Sequence, residues 1–123
     1  MNEKTRILVI DDENIVRVSC KRILEPEGFL VELAADGYEA IELIKKQPYD
    51  IIITDLKMPK MDGLEVLQWI KKNSPASKVV VITGFSTPEI AERSAKSGAT
   101  KYLEKPFTPE TLISVVQSAI KEG

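Results

Sequence analysis

Ile7-Leu8-Val9-Ile10-Asp11-Asp12-Glu13 sets four apolar residues directly before three carboxylates. A run that is apolar at every position, rather than at every second one, reads as a strand covered on both faces, as in a parallel sheet. Ile51-Ile52-Ile53 and Val79-Val80-Val81-Ile82 have the same character. Leu30-Val31-Glu32-Leu33 is more mixed and suits an edge strand, and Thr100-Lys101-Tyr102-Leu103 supplies a fifth, weaker signal.

Helical patterns separate these runs. Val16, Cys20, Ile23 and Leu24 recur at helical spacing, and Gly28 closes that segment. Asp36 with Glu39, and Asp62 with Glu65, have the spacing of capping boxes. Thr87-Pro88 and Thr108-Pro109 each put a cap residue before a proline suited to the first helical position. The last helix carries the clearest apolar stripe, Leu112, Val115, Val116, Ala119 and Ile120. The helix from about Pro88 to Ser97 offers the core only Ile90, Ala91 and Ala95, so it is expected to be the most mobile. Strand and helix alternating in this way form a βα repeat, which requires right-handed crossovers and a parallel, doubly wound α/β sheet.

Composition narrows the function. The 123 residues carry 17 Lys+Arg against 19 Asp+Glu and suit one domain, with roughly two thirds of the unfolded surface buried on folding. Near-neutral charge gives no electrostatic basis for non-specific nucleic-acid binding. Histidine is absent, which removes Ser-His-Asp and Cys-His catalysis, imidazole zinc sites and phosphohistidine donation. Cys20 is the sole cysteine, so no internal disulfide forms. The longest apolar runs have four residues, too few to cross a bilayer, and Met1 to Arg6 lacks a signal-peptide core. A cytoplasmic domain without membrane contact is expected.

Ligands of open α/β sheets bind beyond the carboxyl ends of the strands. That rule collects Asp11, Asp12 and Glu13 after the first strand, Thr54 and Asp55 after the third, Thr83 and Gly84 after the fourth, and Lys105 and Pro106 after the fifth. Singly, each has an ordinary alternative: Asp12 as cap of a helix beginning at Glu13, Thr83 as a loop hydroxyl, Lys105 as a solvated charge. Jointly they do not, because clustered carboxylates repel unless a cation sits among them. An all-oxygen cluster suits Mg²⁺, and Mg²⁺ with Lys105 suits a phosphoryl group attacked by one carboxylate.

Four motifs in order then carry a resemblance. They are Ile-Leu-Val-Ile-Asp-Asp at 7–12, Asp50 to Pro59 with Met61-Asp62-Gly63, Val-Ile-Thr-Gly at 81–84, and Lys105-Pro106-Phe107. The chain resembles, over residues 1–123, the receiver domain of two-component response regulators, the family that includes the single-domain chemotaxis regulator. The resemblance implies a flavodoxin-like (βα)5 three-layer sandwich with strand order 2-1-3-4-5. It implies Asp55 as phosphoacceptor from a histidine kinase or phosphotransfer protein, with Mg²⁺ held by Asp11, Asp12, Asp55 and the backbone carbonyl of Lys57. It further implies Lys105 and Thr83 on phosphoryl oxygens with the Gly84 amide assisting, Tyr102 as an aromatic that turns inward with Thr83, and a cis Lys105–Pro106 peptide. Lys57 and Phe85 occupy positions that vary in the family and affect the lifetime of the phosphoryl group. Met58 and Met61 are expected to shape the loop over the site, and Trp69 need not face the core. A downstream output domain or target, a monomer or a phosphorylation-linked dimer, and no separate turnover substrate complete the expectation.

Two other classes share the sheet. Haloacid dehalogenase-like phosphatases use an Asp nucleophile with a second Asp two residues on, where this chain has Lys57. A flavodoxin-like carrier needs a hydroxyl- or glycine-rich phosphate loop where Asp11-Asp12-Glu13 stands, and no dinucleotide or P-loop fingerprint is present.

Overall fold

The computed structural model describes residues 4–58 and 61–121. Its elements are β1 (Arg6–Ile10), α1 (Asn14–Leu24), β2 (Leu30–Ala34), α2 (Gly37–Lys46), β3 (Ile51–Asp55), α3 (Gly63–Asn73), β4 (Lys78–Thr83), α4 (Pro88–Lys96), β5 (Lys101–Glu104) and α5 (Pro109–Lys121). The strands form one sheet in the order β2-β1-β3-β4-β5, and every neighbouring pair is parallel.

The all-apolar strands divide their side chains between two cores, because successive residues of a strand face opposite sides. Ile7, Val9, Ile51, Ile53, Val80 and Ile82 pack with Cys20 and Leu24 of α1 and with Leu112, Val116 and Ala119 of α5. Leu8, Ile10, Ile52, Val79 and Val81 pack with α2 and α3, and half-buried Ile90 of α4 and Tyr102 of β5 lie against that second core. Trp69 is half-buried against it as well, which places it closer to the core than its helical spacing requires.

Local details depart from the sequence expectations in instructive ways. A short 3-10 turn, Glu25–Glu27, follows α1, and Gly28 caps that turn rather than the helix, at φ 93° where a side chain would be strained. At α2 the Asp36 carboxylate accepts from the Glu39 amide, and the Glu39 carboxylate accepts from the amide of Ala35. At α3 Asp62 accepts from Leu64 rather than from Glu65. Thr87 and Thr108 cap α4 and α5 at the third helical amide. In α4 the fully buried residue is Ser94, whose hydroxyl donates to the Ile90 carbonyl, while Ala95 is exposed. A hydroxyl satisfied within its own helix is a weak core anchor, so α4 is held even more lightly than its three apolar residues suggest.

Candidate functional site

Strand ends build the site. Asp11 follows β1 and is 0% exposed, and Asp55 closes β3 at 5%. The loop after β3 is pinned where α3 begins: the Gly63 amide donates to the Leu56 carbonyl at 2.9 Å, and a Cβ at Gly63 would collide with the Asp55 carbonyl and Leu56 Cα. A glycine is therefore required for this close approach. Lys57 and Met58 lie in the same loop, with Met58 and Met61 half-buried beside the second core, whereas Pro59 falls outside the described residues.

Lys105 reaches back from the β5–α5 loop, where its peptide to Pro106 is cis. Its Nζ lies 2.9 Å from Asp11 Oδ2, 3.0 Å from Asp55 Oδ2 and 3.1 Å from Glu13 Oε1. Burial alone pulls the ammonium pKa down, but pairing with the Asp11 and Asp55 carboxylates outweighs it and holds Lys105 above its ordinary value. Burial raises the Asp11 carboxyl above its usual range, against the opposing pull of Lys105 and of the Glu13 amide. Asp12 is exposed, and the alternative of a helix cap does not fall to it. The helix starts at Asn14 with Glu13 as cap residue, and it is Asp11 Oδ1 that accepts from the Glu13 amide at 2.9 Å.

Carboxylate oxygens of Asp11, Asp12 and Asp55 lie within 4.8 Å of one another. Asp11 Oδ2 is buried and paired with Lys105 by charge, with no well-directed hydrogen bond to it. An oxygen with unused lone pairs inside an all-oxygen donor set fits a hard divalent cation such as Mg²⁺. Cys20 belongs to the core instead; burial pushes its thiol up to about 12, so it is no thiolate nucleophile.

The pocket above Asp55 is lined by Asp12, Glu13, Lys57, Gly84, Phe85 and Lys105. The Lys57 ammonium sits 4.1 Å from the centre of the Phe85 ring, and the Lys57 amide donates to Asp55 Oδ1 at 3.2 Å. Thr83 is buried at the end of β4, but its hydroxyl accepts from the Phe85 amide at 3.0 Å. Gly84 has ordinary room for a side chain. Tyr102 is half-buried on β5, outside this pocket, with its hydroxyl 3.1 Å from that of Ser86. Two contacts escaped the sequence reading: Glu13 on Lys105, and Arg17, whose guanidinium donates to the Asp11 carbonyl at 2.6 Å and braces the β1–α1 turn. An Arg five residues past an Asp-Asp pair is the only linear signal for the second, and nothing in the linear sequence links Glu13 to Lys105.

Comparison with known proteins agrees with this geometry. The family model described as response regulator receiver domain matches residues 7–117. The transcriptional regulatory protein PdtaR of Mycobacterium tuberculosis is 37% identical over 116 residues, spanning 94% of this chain and 56% of PdtaR. A CheY-like response regulator receiver domain protein of Methanospirillum hungatei superposes with a TM-score of 0.93 at 33% identity, covering 98% of this chain and 96% of that one. Chemotaxis protein CheY4 of Vibrio cholerae gives 0.91 at 34% identity, covering 95% and 99%. The chain spans about half the length of the curated relatives it matches.

Proposed function

This chain belongs to the response regulator receiver family of two-component signalling systems, and from that premise we propose that it accepts a phosphoryl group on Asp55. The observation that carries the reading is Lys105 Nζ lying 2.9 Å from Asp11 and 3.0 Å from Asp55, with Asp12 completing a three-carboxylate cluster. One Asp55 oxygen bonds to the phosphorus of a kinase phosphohistidine as the P–N bond breaks, and the imidazole nitrogen keeps that electron pair. Asp11, Asp12, Asp55 and the Lys57 carbonyl would hold Mg²⁺, which would neutralise phosphoryl charge. Lys105 pairs with one phosphoryl oxygen, and the Thr83 hydroxyl, with the Gly84 amide, takes another.

To reach that oxygen, Thr83 leaves the Phe85 amide it now serves. Tyr102 follows inward, giving up Ser86, and lightly anchored α4 shifts with it. The phosphoryl group thus biases a pre-existing equilibrium through contacts made in one state only. The same proposal includes a receiver unit over residues 1–123, a cytoplasmic sensor histidine kinase or phosphotransfer protein as donor, and an output domain or separate target as recipient. It includes a monomer or a phosphorylation-linked dimer and no separate turnover substrate. No described helix is long and apolar enough to cross a membrane. Lys57, where a dehalogenase-like phosphatase would carry a second Asp as its acid, offers no carboxyl group and lies with its ammonium over the Phe85 ring, which disfavours that alternative.

Incubation with acetyl phosphate and Mg²⁺, followed by intact-mass analysis, tests the assignment. One phosphoryl group should add to the parent chain and none to Asp55→Asn. Full labelling of Asp55→Asn would sink it.

A further inference from the structure

An ammonium has three N–H donors and no acceptor, and Lys105 faces three carboxylates. Two of the side chains are fixed by burial, Asp11 at 0% and Asp55 at 7% exposure, whereas that of Glu13 is 57% exposed. Asp11 and Asp55 are also tied by their other oxygens, to the amides of Glu13 and Lys57 respectively. Glu13 stands at the cap position of α1 yet makes no side-chain cap bond. Its carboxylate instead leans across the pocket mouth to Lys105. An acidic residue at a helix start gains from the helix's first amides and dipole. Giving up a cap bond to pair with a lysine 92 residues away marks Lys105 as its partner in this state.

We infer that Glu13 is a positioning residue that occupies one donor of Lys105 while Asp55 is unmodified, and that an incoming phosphoryl oxygen displaces it. The inference rests on the reading of Asp55 as phosphoacceptor. A phosphoryl group needs a Lys105 donor, and only the Glu13 pair opens to solvent without stranding a buried charge. Glu13 therefore holds the ammonium over the site before the phosphoryl group arrives and competes with it afterwards. An ion pair with one partner in water is weak, so the competition amounts to about threefold in affinity for a phosphoryl mimic.

The experiment titrates beryllofluoride, with Mg²⁺ present, into the parent chain, Glu13→Gln and Glu13→Asp by calorimetry. Gln removes the charge; Asp keeps it but is one methylene too short to reach Lys105. In the same three proteins without metal, nitrogen NMR follows proton exchange at the Lys105 ammonium. Both variants should bind the mimic about threefold more tightly, and both should exchange ammonium protons faster than the parent. Unchanged or weaker affinity in either variant overturns the inference. So does parent-like behaviour of Glu13→Asp beside a tighter Glu13→Gln, which would mean diffuse charge rather than contact. Unchanged ammonium exchange overturns it too. A parent chain that fails to bind beryllofluoride at all would instead remove the Asp55 reading, and this inference with it.

Discussion

The two flanks of Lys105 are anchored very differently. On the β1–β3 flank, Ile7 to Ile10 and Ile51 to Thr54 are at most 1% exposed, and the carboxylates at their ends inherit that rigidity. On the other flank, from the β4–α4 loop through β5, Phe85 is 58% exposed, Tyr102 is half-buried, and α4 buries only a serine fully. Across the sheet, α5 buries Leu112, Val116 and Ala119. A phosphoryl site needs charges that do not relax away from it, whereas a signal needs an element that a few contacts can move. This molecule keeps the two requirements on opposite sides of one lysine.

Packing energetics give the strongest way to break that contrast. Leu112→Ala should lower stability by about 2–5 kcal/mol, as a fully buried leucine does. Ile90→Ala, half-exposed on α4, should cost only about 1 kcal/mol. Urea denaturation of both variants checks this, and equal losses would show that α4 is as firmly held as α5.

A smaller effect sharpens the comparison at the pocket mouth, where the flanks meet. Loss of the phosphoryl group requires a water in line with Asp55, oriented by a group that accepts its proton or hydrogen-bonds it. Phe85 lines the pocket above Asp55 with a ring that cannot accept a proton from water, and Lys57, 4.1 Å over that ring, donates hydrogen bonds but accepts none. Phe85→Glu and Lys57→Asn should each speed decay of the acyl phosphate at least about twofold, a barrier change near 0.4 kcal/mol. Decay measured by loss of the phosphorylated mass that stays at the parent rate would mean that both side chains are bystanders.

The β-strands were legible in the sequence because Ile7–Ile10, Ile51–Ile53 and Val79–Ile82 admit no solvent-facing side. The site was legible because strand ends converge on one rim. Strand order was not in the periodicity; it came from the resemblance carried by the Asp-Asp, Asp55, Thr83 and Lys105 motifs. What stayed hidden depends on side-chain reach across the fold. Glu13 meets Lys105, Arg17 meets the Asp11 carbonyl, and Ser94 rather than Ala95 turns inward on α4. The caps at Asp36 and Asp62 show the same limit on a smaller scale. Spacing identifies the acceptor, but local backbone geometry decides which amide it serves.

The central claim is that chemistry on the rigid flank is expressed as motion on the loose one. Hydrogen exchange with and without beryllofluoride and Mg²⁺ tests it most directly. Changes in protection should concentrate in residues 84–104, from the β4–α4 loop through β5, with little change in the amides of α1 and α2. Changes confined to α1 and α2, with residues 84–104 untouched, would contradict it.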